Sequence, residues 1–200
     1  MPQVSGVIFD AGGVLVALDG APSLSRLLSL ELSVDAFQKR WLGCPSVLLH
    51  ETGRMSMHQF GENVVTELGL NISASEFLAE FATWFSGASP GASEIVDRIP
   101  SQYRVSILSN MSAFHWRMAL ATGLPSRIEL ALVSCETGVL KPGREAFLLA
   151  AESMRLEPGE LLFLDDSHAN VSAARSLGFE AHVVETPEQI ESALHQYGAL

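Results

Sequence analysis

The sequence predicts an α/β fold with a doubly wound parallel sheet and an inserted all-helical cap. Three observations predict it. Short apolar runs alternate with helical patterns from residue 105 onward, the order that builds a parallel sheet with helices on both faces. A similar apolar run opens the chain at residues 4–9. Between the two, residues 16–87 show helix-like spacing and no strand. A helical block between the first and second strands of such a sheet reads as an insertion. It divides the chain into a core of residues 1–15 and 88–200 and a cap of residues 16–87.

The first run ends at Asp10 and a Gly12-Gly13 turn, the pattern of a buried strand closed by residues that tolerate unusual backbone angles. In the insert, Leu24, Leu27 and Leu28 repeat at helical spacing, as do Phe60, Val64 and Leu68, then Phe77, Phe81 and Trp84-Phe85. Gly43, Gly53, Gly69 and residues 86–91 punctuate these helices. Val105-Ser106-Ile107-Leu108 is the second strand, and residues 130–133, 161–164 and 181–184 supply the rest. Pro142 is expected to open a helix just after Lys141, since a first-turn proline lacks only a bond the helix would not make. Thr186-Pro187-Glu188-Gln189 reads as a capping box opening the last helix.

With 200 residues the chain is long enough to bury roughly 70% of its unfolded surface. A formal net charge of −11 disfavours nucleic acid and anionic membranes as partners, because both need basic patches. Charges or glycines interrupt every apolar run before membrane-spanning length. Met1 leads into a strand-like run without the basic start of a signal peptide. Cys44 and Cys135 share no metal or redox spacing and fit a reducing compartment, so a cytoplasmic protein is expected.

The carboxyl ends of the expected strands carry the chemistry. They end at Asp10, at Ser109-Asn110, just before Lys141-Pro142, and at Asp165-Asp166 with Asn170 beyond. In a parallel sheet these ends meet along one edge, where ligands bind. Three carboxylates gathered there repel one another and raise each other's pKa unless a cation joins them. Magnesium, held by one or two carboxylates and a substrate phosphate, suits such a set. Each residue alone has an ordinary explanation as a turn, cap or loop residue; none of those explanations accounts for the order.

In that order the chain resembles the haloacid dehalogenase-like hydrolases. Val7-Ile8-Phe9-Asp10-Ala11-Gly12-Gly13-Val14-Leu15 resembles their first motif, Leu108-Ser109-Asn110 the second and Lys141-Pro142 the third. Phe163-Leu164-Asp165-Asp166-Ser167-His168-Ala169-Asn170 resembles the fourth. The insert is similar to their small cap, and His50-Glu51-Thr52-Gly53-Arg54-Met55-Ser56 resembles a cap segment of the sugar-phosphatase-like branch. The resemblance implies a Rossmann-like core and a phosphatase acting on a small phosphorylated molecule. It makes Asp10 the nucleophile that forms an aspartyl-phosphate. Mg²⁺ would be held by Asp10, the Gly12 carbonyl and Asp166. Ser109, Asn110 and Lys141 would bind the phosphate, with Lys141 also acting in catalysis, and Asp165 and Asn170 would orient the metal and its waters.

One position departs from the pattern. The phosphatases carry a second aspartate two residues after the nucleophile to protonate the leaving oxygen and activate water; here it is Gly12. Losing a general acid–base removes about 10²–10⁴ in rate. Two rivals follow: a metal-independent L-2-haloacid dehalogenase, which the paired Asp165-Asp166 disfavours, and a non-catalytic phosphate-ligand binding protein, which retention of Asp10 disfavours. His115 and His168 fall near the cleft or, as the ordinary reading has both, at the surface, and His50 and Arg54 either meet the substrate or sit at a solvated helix end. Trp41, Trp84 and Trp116 read as packing residues, and Cys44 and Cys135 as inert.

Overall fold

The computed structural model describes residues 4–123 and 125–200; Met1, and with it the start of the chain, lies outside them. Five parallel strands form one sheet: β1 (Gly6–Phe9), β4 (Arg104–Ser109), β5 (Leu130–Val133), β6 (Leu161–Asp165) and β7 (Glu180–Val183). Their order is β5-β4-β1-β6-β7, so β1 is central and the chain winds outward on both sides of it. Successive β1 side chains face opposite ways, and both faces are covered. Val7 and Phe9 join the cluster formed with α6 (Ala92–Asp97), α7 (Ala113–Ala121) and α11 (Pro187–Gln196). Ile8 joins the cluster formed with α9 (Arg144–Met154) and α10 (His168–Ser176). Burial on both faces explains why the strands read as continuous apolar runs instead of alternating ones.

Helices α1 (Ala21–Leu28), α2 (Val34–Leu42), α3 (Pro45–Glu51), α4 (Met57–Leu68) and α5 (Ala74–Thr83) form the cap. They surround a separate core in which Leu24, Phe60, Val64 and Phe77 are fully buried. Ser56 and Ser73 accept backbone N–H bonds at the starts of α4 and α5, and Gly69 ends α4 in the left-handed region at φ +66°.

The insert is not wholly helical, contrary to the expectation for residues 16–87. Its ends pair as an antiparallel ribbon, β2 (Val16–Leu18) against β3 (Phe85–Ala88), in the register Val16 to Ala88 and Leu18 to Phe85. Phe85 therefore leaves the helical set in which its spacing had placed it. Strands of three and four residues are too short to show a period of two, and the ribbon is set by bringing the two ends of the insert together. A second difference lies at Pro142. The helix expected there begins at Arg144, because Leu140 and Gly143 close a tight turn and the Lys141 backbone bonds to Asn110. Pro187 does sit at the start of α11, with Thr186 as its cap. No helix among the described residues is long and apolar enough to cross a membrane.

Candidate active site

The carboxyl end of β1 delivers Asp10 to the middle of the sheet edge, its backbone N–H held 2.8 Å from the Leu164 carbonyl on β6. The chain then turns at once, with the Leu15 and Val16 N–H groups both bonded to the Ala11 carbonyl at 2.8 Å. Gly13 makes this turn possible for two reasons. Its φ is +81°, and a Cβ there would lie 2.2 Å from Oδ2 of Asp166. Glycine thus lets the backbone of the first loop and the carboxylate of the fourth strand end touch.

Around Asp10 the expected residues converge. One carboxylate oxygen from each of Asp10, Asp165 and Asp166 lies within 4.8 Å of the others. Lys141, only 2% exposed, places Nζ 3.0 Å from Oδ1 of Asp10 and 2.6 Å from Oδ2 of Asp165. Asp165 is itself fixed by the Ser167 N–H at 2.7 Å and by Nδ2 of Asn170, 3.0 Å from each carboxylate oxygen. Asp165 therefore contacts the lysine and Asn170 contacts Asp165, and Asp165 is not a cap for α10, whose cap residue is Ser167.

Asn110 sits where expected, but its side chain is engaged with Lys141. Its Oδ1 accepts the Lys141 N–H at 2.8 Å and its Nδ2 donates to the Lys141 carbonyl at 2.7 Å. The Ser109 hydroxyl is 2% exposed and close enough to favour charge on Asp10, yet no partner among the described residues completes a hydrogen bond to it.

The electrostatics suit a cation. Burial pushes Asp10 up to about 6, opposed by Lys141 and assisted by Asp165. Burial, then the charges of Asp10 and Asp165, push Asp166 to about 7. Burial alone would lower the Lys141 ammonium, but Asp10 and Asp165 together hold it above its ordinary value. One lysine does not neutralise three clustered carboxylates. An all-oxygen donor set with carboxyls this reluctant to ionise fits a hard divalent cation, and Asp10 and Asp166, grouped with Asp165, could hold it.

A cavity of about 520 Å³ opens over these groups. Its floor includes Asp10, Gly12, Lys141 and Asp166, and its cap wall is aromatic: Phe37, Trp41, Phe81 and Trp84. Trp41 and Trp84 therefore both pack the cap core and face the cavity, while Trp116 lies in the sheet core and donates to Glu136 at 3.2 Å. The Trp84 indole N–H is another buried donor without a partner among the described residues.

Two histidines are buried, neither at the surface nor at a solvated helix end. His115 is 3% exposed, lines the cavity, and its Nε2 meets the Phe81 carbonyl at 2.9 Å. His50 is 6% exposed and stacks on Phe60. Both lie where cap and core press together, a junction that periodicity within either part does not announce. His168 and Arg54 are exposed as expected. Cys44 and Cys135 are unpaired, and burial raises both thiols, which makes them poorly reactive.

Sequence reasoning assigned no role to Glu51. It ends α3, lines the cavity, and accepts the Trp41 indole N–H at 3.0 Å. The available signal was an acid two residues before a glycine at a helix end, which by itself reads as solvated surface.

A doubly wound sheet with a carboxylate at the end of its central strand, a buried lysine and an acidic pair under a helical cap defines a hydrolase built around an acidic centre. The chain belongs to the haloacid dehalogenase-like hydrolases, whose family model matches residues 4–178. Among its relatives is the D-ribitol-5-phosphate phosphatase of Bacteroides thetaiotaomicron, 23% identical over 186 residues that cover 89% of this chain and 90% of the relative. It is 36% identical to mouse acyl-CoA dehydrogenase family member 10 over 91% of this chain, which corresponds to 18% of that protein. The fold is shared with a haloacid dehalogenase family enzyme of Bacteroides thetaiotaomicron in complex with magnesium and inorganic phosphate. That likeness has a TM-score of 0.70 at 21% identity, covering 90% of this chain and 94% of the other.

Proposed function

We propose that this protein is a magnesium-dependent phosphatase that hydrolyses a small phosphomonoester, of the sugar- or polyol-phosphate class, through an aspartyl-phosphate on Asp10. The observation that carries the reading is the grouping of Asp10, Lys141 and Asp166 on the floor of one cavity. The similarity to a D-ribitol-5-phosphate phosphatase supports the substrate class. The aromatic cap wall supports it too, since the apolar faces of a polyol or sugar pack on such rings.

The residues divide the work as follows. Asp10 attacks phosphorus through a carboxylate oxygen, forming the acyl-phosphate while the bond to the ester oxygen breaks. Ser109 donates its free hydroxyl hydrogen to a phosphate oxygen. The Asn110 side chain fixes the Lys141 backbone, so its own contribution to the phosphate falls to its backbone N–H. Lys141 offsets negative charge on the nucleophile and the phosphate, and Asp165 with Asn170 holds the ammonium in place. Water then attacks phosphorus, releasing phosphate and regenerating the Asp10 carboxylate. When bound, the cation supplies Lewis-acid neutralisation of the transferring group.

The test is a screen of sugar, polyol, nucleotide and small organic phosphates, with magnesium and with chelator, alongside a 2-haloacid. Magnesium-dependent phosphate release from a sugar or polyol phosphate is the expected result. Halide release without magnesium, or phosphate binding with no turnover on any compound, would contradict it.

A further inference from the structure

Gly12 leaves the reaction without its usual proton donor, and the cavity shows what stands in that place. A Cβ on Gly12 would face Leu18 at 3.3 Å and Met111 at 3.8 Å, so the position opens toward apolar side chains and not toward a second acid. We infer that Glu51, carried by the cap, is the general acid–base of the reaction, protonating the leaving oxygen and then activating the water. The inference rests on the phosphatase reading above and names a catalytic residue within it.

Four observations support it. Glu51 and Asp10 line the same cavity from opposite parts of the molecule, one from α3 and one from the end of β1. The end of α3 is fastened to the core. The Glu51 carbonyl accepts the Ser134 hydroxyl at 2.6 Å, and the same oxygen of Ser134 accepts the N–H of Met111, beside Asn110, at 3.0 Å. Gly53 follows at φ +70°, so close to the core that a Cβ would lie 2.5 Å from the Cys135 carbonyl oxygen. The glutamate is thus set relative to the phosphate-binding strand end by short contacts on both sides. Its carboxyl is oriented by the Trp41 indole N–H on one oxygen, while the other makes no hydrogen bond within the described protein.

Asp10 and Asp166 are taken up as nucleophile and cation ligand in the phosphatase reading, and the remaining titratable groups of the cavity serve less well. His115 is pushed to about 4 by burial and its Nε2 is engaged with the Phe81 carbonyl. Lys141 is held charged by Asp10 and Asp165. Lys39 and His168 stand exposed on the rim. For Glu51, burial raises the carboxyl to about 7, opposed by the Trp41 bond and assisted by the Asp10 charge, so acid and carboxylate are both accessible near neutrality. Facing it are Asp10 from the β1 loop, Trp41 from α2, and Ser134 and Cys135 from α8 (Ser134–Thr137); Arg54 is turned away to the Gly138 carbonyl.

The step balances. Asp10 forms the bond to phosphorus as the bond to the ester oxygen breaks, and the Glu51 acid gives that oxygen its proton. The resulting carboxylate takes a proton from the water that attacks phosphorus, the acyl-phosphate bond breaks, and phosphate leaves with Glu51 protonated again.

Glu51→Gln tests this in the intact protein, because the amide oxygen still accepts from Trp41. The expected result is a fall of about 10²–10⁴ in kcat/KM for an alkyl phosphate. For p-nitrophenyl phosphate, whose leaving group departs as an anion, the fall should be at least tenfold smaller. With that substrate a burst of nitrophenol and a trappable aspartyl-phosphate are also expected, since the water step has lost its base. Trp41→Phe removes the bond that favours the carboxylate, so the alkaline limb of kcat/KM for the alkyl phosphate should move to higher pH. Equal falls for both substrates in Glu51→Gln, or an alkyl-selective loss in His168→Gln instead, would overturn the assignment. A parent protein that never phosphorylates Asp10 would overturn the phosphatase reading, and Glu51's role with it.

Discussion

The lysine beside Asp10 allows a quantitative test of how the site is held together. Lys141 is almost fully buried and is paired with two buried carboxylates, at 3.0 Å and 2.6 Å. Lys141→Met keeps the length of the side chain and its packing near Phe163 while removing the charge. Breaking a buried ion pair by removing one partner costs about 3–5 kcal/mol, because the remaining charge is left uncompensated. The variant can recover part of this by protonating carboxyls. Asp10 and Asp166 already stand near 6 and 7 with the lysine present, and both rise further without it. A carboxyl raised above its unfolded value binds a proton in the native state that the unfolded chain has released. Stability is therefore lost as pH rises from the unfolded to the folded pKa. The deficit should be about 3–5 kcal/mol at pH 8 and smaller at pH 5 by at least about 1.4 kcal/mol, the equivalent of one pKa unit. Urea unfolding in chelator at the two pH values measures it. A deficit identical at both, or below about 1 kcal/mol at pH 8, would refute the account of Lys141 as the counter-charge of this cluster.

Three further outcomes are expected. Magnesium competes with protons for Asp10 and Asp166, so its affinity by titration calorimetry should strengthen between about pH 5.5 and 8 with protons released on binding; a pH-independent affinity would contradict the proposed ligand set. Gly53→Ala puts a Cβ against the Cys135 carbonyl at a φ of +70°, so it should destabilise the protein by about 1–3 kcal/mol and expose the end of α3 to proteolysis, and an unchanged melting temperature would show that this contact yields easily. Gly12→Asp in the Glu51→Gln background should restore part of the alkyl-phosphate activity, provided Leu18, 3.3 Å from the new Cβ, moves aside; no recovery in a folded, magnesium-binding variant would show that an acid at position 12 does not reach the leaving oxygen.

Much of this site is written locally. Asp10, Ser109 and Asp165-Asp166 each end or follow a run of buried residues, so the topology of a parallel sheet brings them together with no further information. The cap helices were legible for a similar reason: Phe60, Val64 and Leu68, and Phe77 with Phe81, recur at the helical period and are buried. What escaped depends on contacts between distant segments. The β2–β3 ribbon exists because residues 16–18 and 85–88 are brought side by side, not because either run favours a strand. His50 and His115 are buried at a junction between cap and core. Glu51 reaches the cavity that Asp10 also lines because Ser134, 83 positions away in sequence, holds the end of its helix. Pro142 was misread because a proline signals the first turn of a helix and a tight turn equally well; the Asn110 clamp on Lys141 decides between them.

The central claim is that Asp10 carries the phosphoryl group. It is tested most directly by acid-quenching the protein within its first turnovers of p-nitrophenyl phosphate in magnesium and locating the added phosphoryl by peptide mass spectrometry. The account predicts a phosphoryl group on the peptide bearing Asp10, lost on treatment with hydroxylamine and missing from Asp10→Asn, which should turn over at background rate. Turnover by Asp10→Asn at the parent's rate, or a phosphoryl group carried on any other residue, would contradict it.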